Sequence, residues 1–377
     1  MSLQDEDLPE TRVLAIASHL FRYVGNTMAT FVMQSLGCEV AALNTVQFSN
    51  HTGYRQVKGT ETTAQEIMDL YQGLRQSYLV DFDVLLSGYA PNAAAVRAAG
   101  EIGLDLQRKA KEKPGSFFWV LDPVMGDQGQ RYVNEDVVPA YKDIICHADL
   151  ILPNQFEAES AFASRKRKRD AESQEENLTE AITEIHRIYS VPHVVVTSAQ
   201  LSNLSHSAAT PSTPPSVLTV IGSTVRSDGS PRLFRIDVPA LDCFFNGTGD
   251  MFAALTVARL REAVFAADPT LRHTKSWISP DDIVPTSLPL ARATEKVLAS
   301  MHSVLEKTME ARDLELRTGN ITAGDTASDG SHEHSASEDA QKREHLWRTK
   351  AAEVRLVRNV KLLRNPVVES KVQEWSE

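Results

Sequence analysis

Six short, almost unbroken apolar runs recur along the chain: VLAIAS (13–18), VAALNTV (40–46), VLLSGY (84–89), FFWVLDP (117–123), LILPN (150–154) and VVVTS (194–198). Their length and β-branched content predict buried strands. Helical patterns lie between many of them, at 26–36, 62–77, 91–112, 155–163 and 177–189. Strands that are apolar on both faces and alternate with helices predict an α/β fold, a mostly parallel sheet covered on both sides. Such sheets bind ligands at the carboxyl ends of their strands. There the polar tails Ser18, Gly88–Tyr89, Asp122, Asn154 and Thr197–Ser198 would gather.

Charge limits what can bind there. With 39 Lys and Arg against 50 Asp and Glu, the formal net charge is −11. That disfavours broad nucleic-acid or anionic-membrane surfaces, and an anionic substrate would need a local cation or a pocket of backbone amides. Cys38, Cys146 and Cys243 are far apart and form no C-x-x-C pair, which fits a reducing compartment rather than a disulfide or zinc framework. Cys146–His147 reads as packing, not as a dyad. No apolar run approaches the roughly 18 residues of a membrane helix, and the acidic start lacks a signal-peptide pattern. The expected location is therefore cytoplasmic. Arg165–Arg169, a run of five basic residues, would suit nuclear import but is followed by acidic residues and reads better as a solvated loop. Residues 1–11 read as an acidic disordered tail. Polar insertions at about 165–178, 201–216 and 318–345 read as loops or disorder within a single domain over 12–377.

The strongest local signal is LDCFFNGTGDMFAAL (241–255), where an apolar run meets Asn246-Gly247-Thr248-Gly249-Asp250 and a helical stretch begins. Glycines let a backbone approach a ligand closely, and amides at a helix start form an anion pocket. Asp250, in the first turn, would accept a proton from an attacking hydroxyl. Alone, the motif reads equally well as a turn with Asp250 as a cap. The chain carries neither G-x-x-x-x-G-K-[ST] nor G-x-G-x-x-G, so phosphate handling would need another solution.

That motif resembles the anion hole and catalytic acid of the ribokinase-like superfamily. SHLFRYVGN (18–26), LGCEVAALNTVQFSNHTGY (36–54), LSGYAPN (86–92), LDPVMGD (121–127), ADLILPNQFEAE (148–159) and VVVTS (194–198) resemble, in the same order, the pyridoxal kinases within it. The resemblance spans roughly residues 12–260. It implies a three-layer α/β/α sandwich, a homodimer, and ATP-dependent phosphorylation of the 5′-hydroxymethyl group of pyridoxal, pyridoxine and pyridoxamine. By resemblance Asp250 is the general base, the amides of Gly247, Thr248, Gly249 and Asp250 form the anion hole, and Thr248 contacts the ATP phosphates. Ser18, Thr52 and Tyr89 match vitamer-binding positions, with Val46 and Phe48 shaping the pocket wall. Asp122, Asn154 and Glu157 match the ATP and Mg²⁺ shell. Thr197 and Ser198 match nucleotide contacts, and Asp127 with Thr197 a monovalent-cation site for K⁺ or Na⁺. An ordinary carboxylate, with a pKa of roughly 4, would make Asp250 a weak base that acts late.

Three departures stand out. One residue is missing between His19 and Gly25, Leu152 replaces a threonine near the cation site, and Asn246 replaces a smaller or β-branched residue. The alternatives are the hydroxymethylpyrimidine kinases of thiamine synthesis, which share the fold, and a non-catalytic vitamin-B6-binding protein.

Overall fold

The structure is a computed structural model that describes residues 10–127, 129–162, 174–199, 217–323 and 333–375. The strands are β1 (Thr11–Leu20), β2 (Cys38–Phe48), β3 (Gly59–Glu61), β4 (Val84–Ser87), β5 (Phe118–Leu121), β6 (Gly126–Asp127), β7 (Gln130–Arg131), β8 (Leu150–Ile151), β9 (His193–Ala199), β10 (Val217–Val225), β11 (Pro231–Pro239) and β12 (Gln373–Glu374). The helices are α1 (Asn26–Ser35), α2 (Ala64–Gln76), α3 (Ala93–Lys109), α4 (Val137–Ile144), α5 (Gln155–Glu157), α6 (Gln174–Tyr189), α7 (Thr248–Ala266), α8 (Pro289–Ala323), α9 (Glu333–Ala351) and α10 (Val360–Arg364).

Ten strands form one sheet in the order β12-β11-β10-β9-β8-β5-β4-β1-β2-β3. Its six central strands, from β9 to β2, pair in parallel, and antiparallel strands extend both edges. The chain runs from β1 to β2 in one direction, then resumes at β4 on the other side of β1. That reversal opens a crevice at the carboxyl ends of β1 and β4, the usual ligand position in open α/β sheets.

Strand alternation divides the core between two faces. Val13, Ala15, Leu86, Val120 and Val195 pack with α1, α7 and α8, while Leu14, Ile16, Leu85, Leu121 and Val196 pack with α2, α3, α4 and α6. The result is the expected three-layer sandwich. On the second face α3 lies very close to the sheet. A Cβ at Gly103 would stand 2.5 Å from the Trp119 ring, and Trp119 Nε1 donates to Ser87 Oγ at 2.8 Å. Helix starts follow their capping residues: Thr63 and Glu66 form a capping box on α2, and Asn92 caps α3.

Several local expectations are corrected. Residues 318–345 are not all loop: α8 continues to Ala323 and α9 begins at Glu333. Ala-, Glu- and Lys-rich sequence favours helix even without an apolar stripe, and Leu346 and Trp347 are half-buried anchors. Helix α6 likewise begins at Gln174, inside the 165–178 stretch. Residues 1–9, Arg165–Arg169 and 201–216 lie outside the described residues. The 155–163 helix is one α-turn followed by a π-turn at Ala158–Phe162. The hairpin β10–β11, which turns through Asp228–Gly229 with Gly229 at φ +86°, was not foreseen from the sequence. All three cysteines are free, and Cys146 is exposed rather than packed. Among the described residues no helix is long and apolar enough to cross a membrane.

Candidate active site

The first wall of the crevice is the turn after β1. Ser18 is buried at the strand's polar end. Gly25 then closes back on it, bridging to His19, with φ +63°. A Cβ at Gly25 would lie 2.1 Å from Ser18 O, so only glycine fits. This tight turn aims the Gly25 N–H at Asp250 Oδ2, 2.7 Å away. Asn26 fixes the turn by donating to Ala17 O at 3.2 Å, Leu43 O at 3.0 Å and Asn44 Oδ1 at 2.9 Å. The shortened loop therefore still reaches the expected acid.

Asp250 stands in the first turn of α7, which begins at Gly247 in the left-handed conformation, φ +78°. Gly247 is pressed against the same turn, where a Cβ would meet Tyr23 O at 2.6 Å. Desolvation pushes the Asp250 carboxyl up to about 6, against the opposing pull of the Gly25 hydrogen bond. It is thus a stronger base than an ordinary carboxylate, and the expectation of a pKa near 4 is corrected by burial.

Two more carboxylates join it. Asp122 follows β5 directly and is buried. Its pKa is raised well above the ordinary range, first by desolvation and then by the like charges of Glu157 and Asp250. A Cβ at Gly249 would lie 3.7 Å from Asp122 Oδ2, so the helix start and this acid are neighbours. Among the described residues no hydrogen-bond donor reaches the Asp122 carboxylate. Glu157 differs. Its Oε1 accepts from Met125 N at 2.7 Å and Gly126 N at 3.3 Å, and its Oε2 from Asn154 N at 2.9 Å. Burial still holds its pKa at about 7. Asn154 completes the knot by capping Glu157 N at 2.9 Å and donating to Gly126 O at 2.7 Å.

Donor chemistry decides which of these suits a divalent cation. Asp122 offers a hard oxygen, unmatched negative charge and two acidic neighbours, and it fits Mg²⁺. Glu157 has both oxygens accepting backbone amides, so it braces the 125–126 and 154 segments, and its expected contact with the ion would run through water. Among the described residues no group of three or more His, Cys, Asp or Glu side chains could enclose a metal ion.

Beside the acids runs a cavity of about 1070 Å³, lined by Asp127, Thr197, Ser198, Thr248 and Gly249 at its polar end. Phe156, Phe245, Phe252 and Leu298 supply apolar walls. Asp127 is exposed on β6, and Thr197 and Ser198 are half-buried on β9. Leu152 is buried in the core and brings no hydroxyl to this end.

The vitamer-type positions stand outside the lining of this cavity. Tyr89 is half-buried after β4, its backbone pinned by Thr45 Oγ1 donating to Tyr89 O at 2.8 Å and by Tyr141 OH donating to Gly88 O at 3.1 Å. Val46 is buried and Phe48 half-buried on β2. Thr52 is exposed in a single 3₁₀ turn, Thr52–Tyr54, which approaches the anion motif: a Cβ at Gly53 would lie 3.3 Å from Asn246 Nδ2. The cavity thus brings together Thr197, Ser198 and Thr248 but not Asn154 or Glu157, while short contacts link Ser18, Gly25 and Asp250, and Asp122 neighbours Gly249. Asp127 and Thr197 share the cavity lining without closing into a cation cage.

Sequence reasoning missed two contributors. Gly25 was seen only as the end of a shortened loop. Phe245 was visible only as part of an apolar run.

Fold and site together define a ribokinase-like sandwich with a kinase-type cleft. A family model described as phosphomethylpyrimidine kinase matches residues 104–279. Pyridoxal kinase of Homo sapiens is 35% identical over 311 residues, covering 80% of this chain and 86% of that protein. Pyridoxal kinase of Ovis aries is 36% identical over the same length and coverage. The solved pyridoxal kinase from Leishmania donovani in complex with ADP and pyridoxamine superposes with a TM-score of 0.70 at 26% identity, covering 97% of this chain and 100% of that one. The chain belongs to the pyridoxal kinase family.

Proposed function

We propose that this chain transfers the γ-phosphoryl group of ATP to the 5′-hydroxymethyl group of pyridoxal, pyridoxine or pyridoxamine. The observation that carries the reading is the half-buried Asp250, held by the Gly25 amide at the start of α7 and opening beside a cavity of nucleotide size. Its relatives named above bear the same activity in their names, and one holds ADP with pyridoxamine.

Phosphoryl transfer asks mainly for positioning and charge neutralisation. Ser18, Thr52 and Tyr89 hold the vitamer, with hydroxyls for its polar edge and a ring for its flat face. Thr197, Ser198 and Thr248 hold the nucleotide along the cavity, and Asn154 braces the segments behind it. With Oδ2 engaged by Gly25, Asp250 turns Oδ1 to the incoming hydroxyl and takes its proton as the oxygen attacks the γ-phosphorus. The bridging P–O bond breaks and ADP leaves. The amides of Gly247, Thr248, Gly249 and Asp250 receive the charge that develops on the transferred group. Mg²⁺, when bound, neutralises the phosphate oxygens, and Asp122 is the side chain placed to hold it. Asp127 and Thr197 are proposed to contact a monovalent cation, K⁺ or Na⁺. A homodimer in the cytoplasm is the expected working form.

One coupled assay tests the reading: ADP release from ATP measured with each vitamer and with hydroxymethylpyrimidine. Vitamer-dependent turnover with the larger kcat/KM for pyridoxal supports it. Turnover on hydroxymethylpyrimidine alone would favour the second reading, to which the family-model match lends weight. Vitamer binding without ADP release would leave a non-catalytic binding protein.

A further inference from the structure

We infer that Glu353, beyond the end of α9, is a positioning residue that clamps the Thr52 turn over the vitamer site. This rests on the reading of Thr52 as a vitamer contact. Glu353 Oε1 accepts the Tyr54 hydroxyl at 2.7 Å and lies 3.4 Å from His51 Nε2, residues that flank Thr52 on both sides. The same carboxylate thus ties both ends of the turn. The His51 and Tyr54 rings also contact each other in a tilted pair, with centroids 4.7 Å apart. A third tie comes from α9 itself, where His345 Nε2 meets Gly53 O at 2.8 Å. Every residue from 51 to 54 except Thr52 has a named bond to the C-terminal segment, and Thr52 is the one left exposed.

The clamp has a rigid base. Ala351, Val354 and Leu356 are buried around Glu353. Arg355 N donates to Thr308 Oγ1 at 3.2 Å, and its guanidinium pairs with Glu315 at 2.6 Å, both on α8. The pair His51–Glu353 is itself nearly enclosed, with side chains 7% and 12% exposed. A hydrogen bond to a charged group removed from water is stronger than a surface pair. The turn has one short 3₁₀ element of its own and is held at its base by Asn50 Nδ2, which donates to His51 O at 3.1 Å and to Gln56 O. Its remaining support comes from a segment about three hundred residues away.

The test uses the full-length enzyme and steady-state kinetics with both substrates. Glu353→Ala should raise the KM for pyridoxal about tenfold, the equivalent of one lost charge-assisted bond, with the KM for ATP and kcat within about twofold of wild type. Glu353→Gln, which keeps an acceptor for Tyr54, should recover most of that loss. Tyr54→Phe, the mildest change, should raise the vitamer KM about threefold. Glu344→Ala, an exposed partner of Arg348 on α9, should leave both KM values unchanged. Amide exchange of residues 50–55 should speed up in Glu353→Ala without any substrate present. An unchanged vitamer KM in Glu353→Ala, or equal losses in both KM values and kcat, would overturn the clamp. Wild-type enzyme that ignores every vitamer would instead overturn the assigned function, while the exchange result still reads the clamp by itself.

Discussion

Replacing Gly25 with alanine separates the position of the catalytic acid from its charge. At φ +63° and ψ −140° alanine is strained, and its Cβ would stand 2.1 Å from Ser18 O and 2.3 Å from Ser18 Oγ. Backbone strain of this kind costs on the order of 1–3 kcal/mol, so the turn would relax and withdraw its N–H from Asp250. A hydrogen bond to a carboxylate is worth roughly 1.5–3 kcal/mol and favours the ionised form. Removing it raises the carboxyl pKa, by roughly one to two pH units at about 1.4 kcal/mol per unit. Asp250 starts at about 6. The acid limb of kcat/KM for pyridoxal, set near pH 6 in the wild type, should therefore move up by that amount in Gly25→Ala. Activity at high pH should recover more than activity at pH 6. The assay is a pH profile of ATP consumption from pH 5 to 9. If the whole profile dropped with its acid limb unmoved, the Gly25 amide would not tune the base and the reasoning would fail.

Two other outcomes follow from packing and charge. Asp122→Asn removes a buried charge that has acidic neighbours and no donor among the described residues; a carboxyl with a raised pKa costs stability at neutral pH, so the variant should melt about 1–3 °C higher while losing its Mg²⁺-dependent turnover. A lower melting temperature would refute the strain assigned to Asp122. Gly103→Ala should cost roughly 1–3 kcal/mol in urea unfolding, because its Cβ overlaps the Trp119 ring, with little effect on either KM. An unchanged midpoint would show that α3 can move away from the sheet.

The strands that carry the site were legible because burial on both faces leaves a local signature. Val13–Ser18 and Phe117–Asp122 are apolar until the chain leaves the sheet, and the polar residue that follows marks the strand end. The Gly247–Asp250 motif was legible for a similar reason: glycines, a first-turn acid and an apolar helix are neighbours in sequence. What remained hidden depends on contacts between distant segments. Nothing near Gly25 announces that its amide serves Asp250, 225 residues later. Glu157 was assigned to the ATP and Mg²⁺ shell from its PNQFEAE context, and the sequence could not show the three backbone amides that its carboxylate accepts. The shift of Asp250 to about 6 comes from desolvation, a property of the assembled cleft. Helix α9 was read as polar loop because most of its sequence lacks an apolar stripe, and its role becomes visible only where His345 and Glu353 meet the Thr52 turn.

The central claim is that Asp250 removes the proton of the vitamer hydroxyl. It is tested most directly by Asp250→Asn, assayed for pyridoxal-dependent ATP consumption alongside equilibrium binding of pyridoxal. The account predicts a loss in kcat of about 10²–10⁴-fold with pyridoxal binding retained. Turnover at the wild-type level would contradict it.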